Sequence, residues 1–406
     1  MNRRTLLKLL ALTPLAASAQ EYNYSPQPHI LVVGAGLIGA SIAYHLSIFG
    51  AKVTVIDKQG PATHASRGTF AWINASYAKQ PRHYHSLSQQ SVEAWHQLQQ
   101  QLNIPVKWGG SLEWFSGEAR QQKLIRQIVE QQNWGEPASI ISAAQASSLE
   151  PHVDFTGASN IAFSENDGAV DPVLATRILL QASTSMGAQL IYPSELSDTL
   201  YDGTRLVAAK TTTGRIMADK IVLATGAATE IVKKIAQIDI PQRSTPGAIV
   251  ITAPLPPILN RIVAAPGVHV HQRLDGRIVM GEQAGAPKND AHNKRLATRA
   301  NHFPSKEIAD QHGQRILDIA IQYVPGLRDA QIEQVHIGWR PLPVDGHPVL
   351  GYSTNRASVY LAMMHSGVTL APIVGRLVAQ EIMNGKPIQQ LENYRPDRVF
   401  DYVKRY

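Results

Sequence analysis

Three glycines, Gly34, Gly36 and Gly39, and a carboxylate at Asp57 are the residues whose types and spacing first suggest chemistry in this 406-residue chain. The glycines have G-x-G-x-x-G spacing, between the apolar run at 30–33 and a helical pattern through Leu46. Gly34 permits a tight turn, Gly36 lets backbone approach a pyrophosphate, and Gly39 lets the helix pack on its strand. Leu37 and Ile38 open that helix, whose free N–H groups and positive dipole end suit phosphates. A second apolar run, 52–56, ends in Asp57, where a carboxylate can accept both hydroxyls of an adenosine ribose. The unit predicts a dinucleotide site and leaves NAD and FAD both open. Arg340 lies between Trp339 and Pro341 in a short apolar stretch, and an enclosed guanidinium needs an anion. A substrate carboxylate suits its planar fork; an internal partner such as Asp345 is the alternative.

Other candidates are weaker alone. The loop after Asp57 offers Ser66, Arg67 and Thr69 as donors to a phosphate or cofactor ring. His365-Ser366-Gly367 precedes a helical pattern running from Val368 through Ile382, with Pro372 expected in its first turn. His83/His85 and His269/His271 have the one-apart spacing that puts two rings on one strand face. No further ligands follow at short spacing, so no metal is expected. G-x-S-x-G, P-loop and H-E-x-x-H patterns are absent from the sequence.

The elements that must position these residues read as strands and helices in alternation. Helices are expected at 83–102, 118–132, near 143–149, at 172–186 with Asp171 as N-cap and Pro172 in the first turn, and at 305–323. Residues 106–115 read as a strand pair around a turn, and Asp202-Gly203 and Asp275-Gly276 as hairpin turns. Lys220 to Leu223 is a buried strand running into small residues at Ala224-Thr225-Gly226. Residues 286–302 are polar and read as a loop or short helix.

Composition is that of an ordinary soluble protein, 44% hydrophobic and 17% charged. Formal charge is +7, without a basic block or aromatic-interleaved stripe, which argues against nucleic acid as a partner. Cysteine is absent, so disulfides, thiolate metal sites and flavin attachment through sulfur are excluded. Residues 1–19 combine a basic start, a short apolar segment and Ala17-Ser18-Ala19, the layout of a cleavable signal peptide. Asn2-Arg3-Arg4-Thr5-Leu6-Leu7-Lys8 resembles a twin-arginine signal, which predicts export of the folded protein to the periplasm. No integral membrane segment is expected after cleavage.

Several further stretches join the fingerprint: Ala65-Ser66-Arg67-Gly68, Gly168-Ala169-Val170-Asp171-Pro172, Val222 to Gly226, Gly338 to Gly351 and Met364 to Pro372. In this order they resemble the FAD-dependent D-amino acid oxidase, glycine oxidase and sarcosine oxidase family over nearly the whole chain beyond the leader. The resemblance implies an α/β fold, with a Rossmann-type FAD-binding domain interleaved with a mixed-sheet α+β substrate domain. Residues 29–80, 150–235 and 335–395 would form the first, and 81–149 and 236–334 the second, within a fold spanning 29–405. The implied cofactor is FAD. Its implied contacts are Gly34, Gly36, Leu37, Ile38, Gly39, Asp57, Lys58, Ser66, Arg67, Gly68, Thr69, Leu196, Gly226, His365, Ser366, Gly367, Val368, Thr369 and Leu370.

The implied reaction is oxidation of a small amino acid or secondary amine. Arg340 would hold the carboxylate, with His365 beside the flavin and oxygen or a quinone as electron acceptor. Hydride would pass from Cα to flavin N5, and water would hydrolyse the imine. The alternatives are a 2-hydroxy acid dehydrogenase using His365 as base, or an exported flavin-binding protein without catalysis. His64 is a further candidate, as a covalent flavin anchor. Trp339, Met363 and Met364 depart from the family's usual residues, and the stretch Thr69 to Ala75 marks a subgroup.

Overall fold

The computed structural model describes residues 27–75, 79–283 and 301–403. Residues 1–19, expected to be a signal peptide, and most of the 286–302 segment therefore lie outside the described residues.

A six-stranded sheet runs in the order Val349–Tyr352, Val359–Met363, Lys220–Leu223, His29–Val33, Lys52–Ile56, Gln189–Ile191. All its pairs are parallel except the first. The strand His29–Val33 is continuously apolar because both faces are covered. Ile30 and Val32 point into a layer of helices, Leu37–Ile48, Arg82–Leu102, Pro172–Ser185 and Gly367–Asn384. Leu31 and Val33 point into a meander, 196–217, and the helix Thr229–Ala236. The Asp171 side chain caps Val173 N–H and Leu174 N–H, with Pro172 next, as its residue type predicts.

An eight-stranded sheet runs in the order Ile332–Pro343, Gln242–Pro254, Arg277–Glu282, Val268–Gln272, Ile262–Ala265, Ser111–Glu113, Ile161–Ser164, Ala138–Ile141. One face packs on the helix Lys306–Tyr323 through Val250, Val268, Val270, Ile278 and Met280. The other face looks toward the nucleotide layer. A three-stranded sheet, Trp72–Ile73, Gly168–Val170 and Val106–Trp108, joins the two.

The strands Val106–Trp108 and Ser111–Glu113 do not pair with each other. Gly109 and Gly110 both take positive φ, +149° and +87°, and redirect the chain from the small sheet into the large one. The helix Arg82–Leu102, assigned by sequence to the substrate side, packs in the nucleotide layer because its stripe of Tyr84, Leu87, Val92, Trp95 and Leu98 faces those helices. Conversely, Ile161–Ser164, assigned to the nucleotide side, pairs within the large sheet.

Pro372 sits one turn into its helix rather than in the first turn. A proline there removes the N–H that would have reached the carbonyl of Val368. Trp95 supplies the missing donor: its indole Nε1 donates to Val368 O at 2.9 Å and to Thr369 O at 3.2 Å. Ser91 Oγ also donates to Thr369 O, at 2.5 Å. Trp95→Phe keeps the ring packing and loses the donor. It is expected to lower unfolding free energy by about 1–2 kcal/mol, read from the urea midpoint.

Candidate active site

Strand, turn and helix at 29–48 build the nucleotide end. Gly34 adopts φ +108°, and a Cβ there would lie 2.4 Å from Ala224 O on the neighbouring strand's extension. The Asp57 carboxylate ends the next strand and is held by backbone N–H groups. Ala35 N donates to Oδ2 at 2.9 Å, and Gln59 N and Gly60 N donate to Oδ1 at 2.9 Å each. Ser66 Oγ accepts from Leu37 N at 3.0 Å, which pins the following loop over the first turn of the helix.

A cavity of about 1580 Å³ begins at Asp57 and Lys58, passes the turn at Gly34, Gly36, Leu37 and Ile38, and reaches Gly226 and the residues His365 to Thr369. Ser66, Gly68, Thr69 and Leu196 also line it, as does Arg340. Sixteen of the nineteen expected cofactor residues therefore share one chamber. Three do not line it. Gly39 is used for packing, since a Cβ there would fall 1.9 Å from Gly34 O and 3.4 Å from the Ala224 Cβ. Leu370, directly after Thr369, is fully buried in the helix layer. Arg67 turns away toward His336, whose pKa burial lowers to about 4 with help from the Arg67 and Arg273 charges.

The residues present fit an extended dinucleotide. Gly36 is bare toward the cavity, Gly226 has open space around its missing Cβ, and the Asp57 carboxylate sits at the adenosine end. At the other end, Ser366 caps the helix Gly367–Asn384 in a left-handed conformation, φ +51°. His365 Nδ1 and Tyr84 Oη each lie 3.3 Å from Ser366 Oγ. That N-terminus presents free N–H groups and positive potential to the chamber.

Arg340 lies within the twelve-residue strand Ile332–Pro343, and its guanidinium lies across the bare face of Gly247 on the neighbouring strand. Gly338, two residues before it, crosses Gly68 backbone to backbone; a Cβ on either glycine would fall within 2.5 Å of the other chain segment. The loop over the cofactor turn is thus seated directly on the strand that carries Arg340.

Asp345 is occupied elsewhere. Arg398 donates to it twice, at 2.8 and 3.2 Å, and His347 N donates at 3.0 Å. Burial opposes its ionisation, yet the hydrogen bonds from His347 and Arg398 outweigh burial and hold its pKa well below the usual range. A depressed carboxyl pKa contributes stability that is present in full above the ordinary value and lost progressively as pH falls from there through the depressed one. Asp345→Asn is expected to destabilise the protein at pH 7, with the urea midpoints of variant and parent converging below about pH 4.

His85 is engaged by Glu136 at 2.8 Å and His83 by Tyr394 Oη at 2.9 Å. Among the described residues no cluster of three or more His, Asp or Glu could hold a metal ion. His64 lines the cavity with Nδ1 3.4 Å from Asn301 Nδ2. No helix among the described residues is long and apolar enough to cross a membrane. Sequence reasoning missed Phe70, Trp72, Gly247, Gly281 and the role of His269 as cavity wall. Their signal is a register between strands far apart in sequence.

Fold and site together define a dinucleotide-dependent α/β enzyme with a second sheet closing its chamber. The family model for FAD dependent oxidoreductases, DAO, matches residues 29–381, so the chain belongs to that family and uses FAD. The bifunctional protein ThiO/ThiG of Trichormus variabilis is 26% identical over 393 residues, covering 91% of this chain. The chain spans about half that relative's length, 55%. The crystal structure of glycine oxidase from Geobacillus kaustophilus matches with TM-score 0.80 at 21% identity, over 92% of this chain and 100% of that one. L-proline dehydrogenase from P. horikoshii matches with TM-score 0.78 at 23% identity, over 91% and 97%. Both structures share this fold.

Proposed function

We propose that the protein oxidises a small amino acid or secondary amine, with its carboxylate seated on Arg340. One observation carries the proposal: Arg340, on the Ile332–Pro343 strand, lines the chamber with its guanidinium over a bare glycine. A planar fork above a flat floor suits two parallel hydrogen bonds to a carboxylate. Relatives with this fold include a glycine oxidase and an L-proline dehydrogenase, whose named substrates share an α-carboxylate beside an amine.

Bound FAD supplies the two-electron acceptor. The chain's own residues bind and orient. Asp57 would take the adenosine ribose, and the turn at Gly34 to Ile38 the pyrophosphate. The N-terminus at His365, Ser366 and Gly367 would favour negative charge on the ring. Arg340 would fix the carboxylate, and Trp339, Phe70 and Trp72 would keep water from the reacting carbon. The free amine, rather than the ammonium ion, is the electron-rich donor, so no side-chain base is required.

The test is anaerobic addition of glycine, sarcosine, proline and D-amino acids to the purified yellow protein. Bleaching of the flavin by a member of the panel is the expected result. A protein bleached by 2-hydroxy acids and by none of the amines would overturn it. Reoxidation by oxygen or by a quinone then identifies the electron acceptor. Export through residues 1–19 is also proposed, on the leader's residue pattern. Periplasmic accumulation should be lost in an Arg3→Lys, Arg4→Lys variant.

A further inference from the structure

The face of the large sheet that looks into the chamber carries Arg340 and His269, set diagonally across four strands. Arg340 pairs with Thr245, Gly247 lies two residues along on the same face, Ile249 pairs with Gly281, and Gly281 pairs with His269. Arg340 and His269 therefore stand three strand spacings apart and, from Thr245 to Ile249, four residues apart along the strands, about 20 Å between their backbones. The guanidinium reaches inward over Gly247, and a Cβ there would lie 3.0 Å from its Nη2. Gly281 on the next strand is covered by Ile249 and Phe70, whose Cδ1 and Cδ2 would lie 3.1 and 3.8 Å from a Cβ there. The cation, drawn over Gly247, and the imidazole line the same chamber, near enough for the charge of one to act on the other.

The imidazole is held in place. Phe70 and Trp72 flank it with ring centroids at 5.4 and 5.6 Å. Trp72 is itself fixed by donating Nε1–H to Asp167 Oδ2 at 2.8 Å, and Asp167 also accepts from Ser111 Oγ at 2.6 Å. Burial, then the Arg340 charge, lower the His269 pKa to about 4, so the ring is neutral at pH 7 with one nitrogen free to accept. Its Nε2 is buried and has no hydrogen-bond partner among the described residues. An unsatisfied buried polar atom is costly, and a donor on the substrate would remove that cost.

A carboxylate on an arginine fork can still rotate about its bond to Cα. A second contact is needed to fix where the Cα–H points. We propose that His269 supplies it by accepting a hydrogen bond from the substrate's amino group. This inference rests on the amine reading above.

Two ligands of equal shape test it on the oxidised holoenzyme. 2-Aminoisobutyrate has a carboxylate and an amine but no Cα–H, so it cannot be oxidised; pivalate replaces the amine by methyl. Wild-type protein is expected to bind 2-aminoisobutyrate about tenfold or more tightly than pivalate, read from perturbation of the flavin spectrum. His269→Phe should lose that preference while keeping pivalate affinity, and His269→Gln, which retains an acceptor, should recover part of it. The rate of anaerobic flavin reduction by the best amine substrate should fall about a hundredfold in His269→Phe, with flavin content unchanged. Equal affinity of wild type for the two ligands overturns the inference, and needs no variant to fold. Amine-driven bleaching equally fast in His269→Phe overturns it too and leaves the amine reading standing. A wild-type protein inert to every amine sinks both.

Discussion

Arg340→Leu is expected to lower kcat/KM by about a thousandfold with FAD still bound, corresponding to about 4 kcal/mol. The residue lines the chamber across the bare face of Gly247 and makes none of the hydrogen bonds that hold Asp57, so its loss leaves that part of the chamber intact. What is lost is a charged, two-point seat for the carboxylate, and the substrate's carboxylate is then desolvated without a partner. Arg340→Lys should recover little, because a point charge on a flexible stem does not reproduce the planar fork. Steady-state kinetics beside the flavin absorbance of each variant provide the check. A drop in flavin content parallel to the drop in activity would show that Arg340 supports the fold rather than the substrate.

Gly34→Ala should give a protein that emerges colourless. The position has φ +108°, and the added Cβ would fall 2.4 Å from Ala224 O and 3.0 Å from Ala224 C. Both obstacles are backbone at the heart of the six-stranded sheet, so neither can swing aside. Backbone strain of about 1–2 kcal/mol adds to overpacking of about 1–3 kcal/mol. The turn must shift, and the phosphate donors shift with it. Gly36→Ala is the instructive contrast. Its Cβ meets only Ser66 Oγ, at 3.2 Å, which a side-chain rotation relieves. That variant should fold normally and hold FAD more weakly. The ratio of flavin to protein absorbance after purification separates the two outcomes.

Much of the nucleotide end was legible because its determinants are local. Three glycines, two apolar runs and an acid lie within thirty residues, and each does in the fold what its type permits. The cap at Asp171 and the helix Lys306–Tyr323 were readable for the same reason. Failures came where the decisive partner is remote. Pro372 reads as a first-turn proline until Trp95, far away in sequence, is seen donating to the carbonyl that the proline leaves without its helical N–H. Residues 106–115 read as a strand pair around a turn, yet Gly109 and Gly110 send the two strands into different sheets. His269 and His271 were weighed only as a metal pair. Their surroundings depend on the register of four strands, which puts His269 beside Gly281 and on the same sheet face as Gly247 and Arg340. Arg67 and Leu370 sit in matching motifs, but a motif does not say which way each side chain turns.

The most direct test of the carboxylate seat is titration of the oxidised, FAD-loaded protein with acetate, a ligand that has a carboxylate and nothing else to recognise. The visible spectrum of the wild type should change saturably, and that of Arg340→Leu should not change at all. Identical titration curves for the two proteins would contradict the account.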